Sequence, residues 1–254
     1  MKLKLNIKRE ISIVIILALV FGLIAFTERM KGDIAVADIQ VRIENIHNNH
    51  FLDEKDILDL MDIDQDNIRG ASLSKLNFRE VEQRIKKDAF IRDAEVYSDL
   101  SGNLTVSVEL RRPVARIIRN DGPDGYIAED GTIMPVSEKF TARVVLIGGG
   151  YVRTLLAAEN IYQFEEGKRL MEMILKVQED EFWNAQIAQL NIDSKGKITI
   201  YPQVGDEHIE FGKPENVETK FAKLRIFYKE ILPRVGWNKY NRVNLEFEGQ
   251  IVAE

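Results

Sequence analysis

The chain has 254 residues, no cysteine and a formal charge of −6. Without thiols it can form no disulfide, thiolate zinc site or cysteine nucleophile, and 45% hydrophobic with 30% charged residues is the composition of a folded protein rather than a disordered one. Lys2, Lys4, Lys8 and Arg9 outweigh Glu10 in the first ten residues, so the body that follows is more acidic than the total, which argues against nucleic acid or an anionic bilayer surface as a partner.

Residues 11–26 read ISIVIILALVFGLIAF, and the run stays uncharged through Thr27. Its 17 residues lie at the lower edge of what crosses a hydrocarbon core at about 1.5 Å per residue. The pattern predicts a transmembrane helix over 11–27, with the basic tail 1–10 held in the cytoplasm and the rest placed across the membrane. Glu28, Arg29, Lys31 and Asp33 open a linker over 28–36. The rival reading is a cleaved leader, with Ala35-Val36-Ala37 as its small-residue site. Both readings export the body.

The next block, 37–111, has a readable order. Ile39, Val41 and Ile43 alternate with Gln40, Arg42 and Glu44 as in a half-buried strand. Asp53 is placed to cap a short helix whose apolar face is Ile57, Leu58 and Met61. A second helix starts near Asn77, with Glu80 as its capping-box partner and Phe78, Val81 and Ile85 on one face. A strand over 91–97, a polar turn over 98–103, and a strand over 104–110 follow. The last alternates, with Leu104, Val106, Val108 and Leu110 inward. The order strand, helix, helix, strand, strand predicts a two-layer α+β unit.

Pro113 cannot donate to a ladder, so Arg112-Pro113 is read as a bulge or domain joint. The block 112–254 offers short strands over 115–119, 126–128, 144–147, 187–193, 197–201, 208–211 and 242–247. Its helices are 167–180, with Leu170, Met173, Ile174 and Val177 on one face, and 216–232, with Val217, Phe221, Leu224, Tyr228 and Ile231. Pro214 and Pro233 bracket the second.

Little here points to catalysis. Asp62-Ile63-Asp64-Gln65-Asp66 opens like a calcium loop, but Asn67 and Leu73 stand where glycine and a bidentate Glu are needed. His47 and His50 are three apart but separated by the turn-like Asn48-Asn49, so no metal site is assigned. Gly148-Gly149-Gly150 lacks the residues of a phosphate loop and reads as a turn. No cofactor is called for. One feature remains. Arg242, Val243, Asn244, Leu245, Glu246 and Phe247 alternate in the last strand, which is either an interior or protected strand or an exposed edge offering N–H and C=O groups to a partner.

The stretch LNFREVEQRIKKDAFIRDAEVYSDLSGNLTVSVELRRPVARI resembles the junction of the POTRA and β domains in the bacterial division proteins of the FtsQ/DivIB family. The Arg111-Arg112-Pro113-Val114-Ala115 element, the Tyr126-Ile127-Ala128-Glu129-Asp130-Gly131-Thr132-Ile133 hairpin and the closing helix and strand over 220–247 carry the same likeness. One departure is Ser98-Asp99-Leu100-Ser101-Gly102-Asn103, where many members have Trp-Pro. The resemblance implies an α+β chain: one amino-terminal transmembrane helix, a POTRA domain (β-α-α-β-β) over 37–111, and a mixed-sheet β domain with two main helices over 112–254. The joint falls at Arg112, Pro113, Val114 and Ala115. It further implies a non-enzymatic, single-pass scaffold of the inner membrane. Its body is periplasmic, at the division site, and it binds FtsB-like and FtsL-like small coiled-coil proteins and other divisome components. A partner strand would add to residues 242–247. The alternative is an exported POTRA-containing chaperone-like or transport accessory protein. A membrane-anchored wall hydrolase ranks third, since no constellation for it can be assembled.

Overall fold

A computed structural model describes residues 7–32, 34–45, 49–61 and 70–254. The acidic run at Asp62, Asp64 and Asp66 and the histidine His47 lie outside them. The chain packs into two units, residues 1–45 with 52–110 and residues 46–51 with 111–254.

The first unit begins with helix α1 (Ile7–Gly32), 26 residues long, which contains the expected span 11–27 and runs on through the charged residues after it. Its described side chains, residues 13–27, are all exposed. That stretch is shorter than the roughly 20 residues a bilayer span needs; among the described residues no helix is long and apolar enough to cross a membrane.

Strand β1 (Ile39–Ile43), helices α2 (Glu54–Leu60) and α3 (Phe78–Ile85), and strands β2 (Ile91–Ser98) and β3 (Leu104–Leu110) follow. The sheet order is β1-β3-β2, with β1 parallel and β2 antiparallel to β3. Asp53 caps α2 through the amide of Asp56, whose carboxylate returns the bond at 2.8 Å. Asn77 caps α3, but Glu80 does not close the expected box; its carboxylate turns to Arg84 one helical turn on. Ile57, Ile85, Val106, Val108 and Leu110 are sealed from solvent in the core.

The linker expected over 28–36 is shorter than the sequence suggested. Val36 is 2% exposed and packs in this core. Its amide donates to Ala71 O and its carbonyl accepts from Gly70 N. An apolar side chain that completes a core is not a solvated spacer, and cleavage after Ala37 would remove it.

The second unit is built on a nine-stranded mixed sheet. Its strands are β4 (Pro113–Ile117), β5 (Gly125–Ala128), β6 (Ile133–Pro135), β7 (Val145–Gly148), β8 (Ile187–Ile192), β9 (Ile198–Pro202), β10 (His208–Gly212), β11 (Arg242–Asn244) and β12 (Val252–Ala253). The order is β12-β11-β10-β9-β8-β7-β4-β5-β6. Helices α4 (Val152–Ala157), α5 (Glu165–Glu179) and α6 (Glu181–Gln186) lie between β7 and β8. Helix α7 (Val217–Ile226), a π-helical turn (Phe227–Ile231) and α8 (Leu232–Val235) lie between β10 and β11. Leu170, Met173, Ile174 and Val177 of α5, Trp183 of α6 and Phe221 and Leu224 of α7 join the strands in one core.

Pro233 does not end the last long helix as expected. It cannot donate to the carbonyl four residues back, and the chain takes a π turn just before it, in which Leu232 N reaches Phe227 O. The joint is expected at Arg112 to Ala115. The units part between Leu110 and Arg111, and Pro113 is the first residue of β4. The ladder shifts register between Pro113 and Ala115, so the bulge reading of the proline fits. Val114 and Ala115 are buried inside the second unit. That unit also takes in Asn49, His50 and Phe51 from far upstream. Phe51 is 1% exposed and packs edge-on against Tyr126 at 5.3 Å and Phe140 at 5.1 Å.

Candidate partner-binding edge

The six residues expected to form an exposed last strand do not form one. Only Arg242–Asn244 are in β11, and β11 is interior, with β10 on one side and β12 on the other. The strand stops because the Asn244 side chain accepts the Glu246 amide at 2.8 Å, a local turn that competes with the ladder. Val243 and Leu245 are buried as the alternation demands, whereas Phe247 is 50% exposed. Strand β12 leaves no pattern in the sequence, since two residues carry no period.

Several contacts fold the chain back to make β12. Glu246 swings onto Lys197 of the β8–β9 turn at 2.9 Å, which raises the pKa of that lysine, first through the hydrogen bond. Gly249 takes a left-handed φ of 69°, which glycine alone adopts without strain. From α7, Lys223 Nζ gathers the carbonyls of Phe247 at 2.8 Å, Gln250 at 3.3 Å and Leu245 at 3.4 Å.

The ladder decides which groups remain open. Glu254 N donates to Arg242 O and Arg242 N to Glu254 O, so these two form a hydrogen-bonded antiparallel pair. The next pair, Val243 with Ala253, is therefore of the other kind. Ala253 turns its N–H and C=O away from β11, and among the described residues no strand lies beyond it. On the other side of β11, Asn241 O accepts from His208 N and Leu245 N donates to Glu210 O. Val243, between them, bonds to β10 in the same sense. The open edge belongs to β12, not to residues 242–247.

The polar face of this corner is a charged network. Arg242 forks onto Glu210, with Nε and Nη2 both at 2.8 Å, and its Nη1 reaches Glu254 at 3.2 Å. Asn244 also donates to Glu210. The Arg242 hydrogen bond is the first cause that holds the Glu210 carboxyl below its ordinary value, and Glu210 likewise holds the guanidinium proton more firmly. A recess of about 230 Å³ opens here, lined by Arg242, Asn244, Phe247, Val252 and Glu254.

A family profile described as FtsQ/DivIB, C-terminal related, matches residues 112–254, and a POTRA-like domain profile matches 35–109. The chain belongs to the FtsQ/DivIB family. A relative, the cell division protein FtsQ of Syntrophotalea carbinolica (strain DSM 2380 / NBRC 103641 / GraBd1), is 24% identical over 231 residues, covering 88% of this chain and 78% of that protein. The FtsQ/DivIB profile begins at Arg112, beside the break between the units, and includes β12. Among the described residues no group of three or more His, Asp or Glu side chains could hold a metal. His50, an exposed residue of the second unit, meets Phe140 edge-on at 5.5 Å.

Proposed function

We propose that this protein is a membrane-anchored, non-catalytic scaffold of the cell-division machinery that accepts a strand from a small FtsB-like or FtsL-like partner along β12. Family membership and the division role named for its relative support the setting. The anchor rests on the uncharged run 11–27 within a 26-residue helix, which at 1.5 Å per residue is about 39 Å long. The basic residues before it place the amino terminus in the cytoplasm and the body on the periplasmic side of the inner membrane. The POTRA-like block serves contacts with other divisome components.

The outward N–H and C=O of Ala253 carry the docking reading. Strand addition draws affinity from such main-chain groups and specificity from alternate side chains. Ala253→Pro removes one outward donor, and a proline is tolerated where the missing N–H faces solvent. Full-length protein in detergent, titrated with the coiled-coil division proteins of the same cell, should lose roughly 5- to 150-fold in affinity, the equivalent of an unpaired group at about 1–3 kcal/mol. Its melting curve should not move. Unchanged binding with an intact fold would place the interface elsewhere.

A further inference from the structure

The corner at β12 also selects the chemistry of the incoming strand, an inference that rests on the docking reading above. Three rows cross the sheet here. Ile209, Val243 and Ala253 form the row that faces the core, for Ile209 and Val243 are buried and Ala253 packs against them. The rows on either side lie on the opposite face of the sheet, where Asn244 is buried beneath the charged network. One runs His208, Arg242, Glu254, and the other Glu210, Asn244, Val252.

Charge alternates from β10 to the rim. Glu210 is negative, Arg242 positive and Glu254 negative. Arg242 is fully engaged by the two carboxylates, whereas the Glu254 side chain is 64% exposed and holds Arg242 by one oxygen, Oε2. Its Oε1 has no partner among the described residues. Opposite charges on neighbouring strands stabilise a pair, and like charges directly opposite destabilise it. Two positions along, Val252 and the half-exposed Phe247 form the apolar part of the recess of about 230 Å³, whose other walls are Arg242, Asn244 and Glu254.

We propose that β12 recognises a partner strand carrying Lys or Arg beside Glu254 and a bulky apolar side chain two positions away, seated against Phe247 and Val252. The residue between them faces Ala253 on the core side. The partner cation extends the alternation Glu210, Arg242, Glu254 by one step. A partner acid at that position would face Glu254 across the new ladder with no cation between them.

The test is a selection from displayed six-residue strand peptides, Thr-X-Val-Z-Thr-Val and its reverse, with X and Z randomised. They are sorted on the full chain in detergent, on Glu254→Lys and on Ala253→Pro, with melting curves for each. Wild type should enrich Lys or Arg at X by roughly 2- to 5-fold over Asp or Glu, and Phe, Leu or Met at Z. Glu254→Lys should invert the preference at X and leave Z alone. Peptides that bind wild type but not Ala253→Pro, yet show no preference at X or keep it in Glu254→Lys, overturn the charge rule while strand addition stands. If no peptide is retained, or Ala253→Pro retains them all, strand addition at β12 falls and the charge rule falls with it.

Discussion

The two ends of the nine-stranded sheet are treated in opposite ways. At one end β6 is closed. Pro135 has no N–H to offer, Ile133 N is taken by Glu159 O at 3.1 Å, and Thr132 bridges Asn160. At the other end β12 turns the Ala253 N–H and C=O outward, with no strand beyond it among the described residues. An unprotected edge invites pairing with any extended chain, and proteins ordinarily blunt it with prolines, charges or covering loops. The smaller sheet follows the same habit at β2, where Glu82 of α3 accepts the Val96 amide at 2.9 Å and Asp93 accepts that of Ala94. The bare β12 edge is where the partner strand proposed above would add.

The largest expected effect separates β11 from β12. Val243→Pro removes a buried donor to β10 and should destabilise the second unit by about 3 kcal/mol or more, seen as a large drop in its melting transition. Ala253→Pro, one strand further out, should leave that transition in place. Equal losses in the two variants would mean that β12 is as integral as β11.

A smaller effect is expected at the turn that builds β12. Lys223→Met strips a cation from three carbonyls and should cost about 1–3 kcal/mol, as for hydrogen bonds to a charged group. Partner affinity should fall with it, because β12 loses its fixed position. Loss of stability without loss of binding would show that the partner edge does not depend on this turn.

The Glu210 pair gives a pH dependence of known sign. Its carboxyl titrates below the ordinary value of 4.5 in the folded chain, chiefly through the Arg242 hydrogen bond. The stability it lends is complete above pH 4.5 and is lost as pH falls through the lowered folded value. Wild type and Glu210→Gln should therefore differ in melting temperature at pH 6 and converge toward pH 3. A gap that widens on acidification would reverse the assignment.

The smallest effect concerns the closed end. Pro135→Thr restores an N–H at β6 but leaves Glu159 in place, so stability should change by about 0.5 kcal/mol or less and no strand peptide should be gained. New binding there would show that the proline alone closes β6.

Much of this architecture is legible in the sequence where one face is buried. Leu104–Leu110 begins and ends where its alternation does, because slipping it by one residue would turn every Val and Leu to solvent. The corner that matters is legible only in part. Val243-Asn244-Leu245-Glu246-Phe247 alternates as a strand would, yet the Asn244 side chain captures the next turn and ends it. A short amide in a strand pattern was the available signal. The two residues of β12 bury too little to leave a period, and their place is set by Lys223 and Gly249, contacts that no pattern displays. Helix α6 was missed for a like reason. It is a six-residue segment, held by Asp180 at its start through the amides of Phe182 and Trp183, and Trp183 is its only buried side chain.

Amide hydrogen exchange at β12 tests the open edge most directly. In the free protein the Glu254 amide, bonded to Arg242 O, should exchange slowly, and its neighbour Ala253 should exchange at close to the rate of an exposed amide. On addition of the coiled-coil partner the Ala253 amide should become protected while the Glu254 amide changes little. An Ala253 amide already protected in the free chain, or one that stays fast in a complex shown to be saturated, would contradict strand addition at β12.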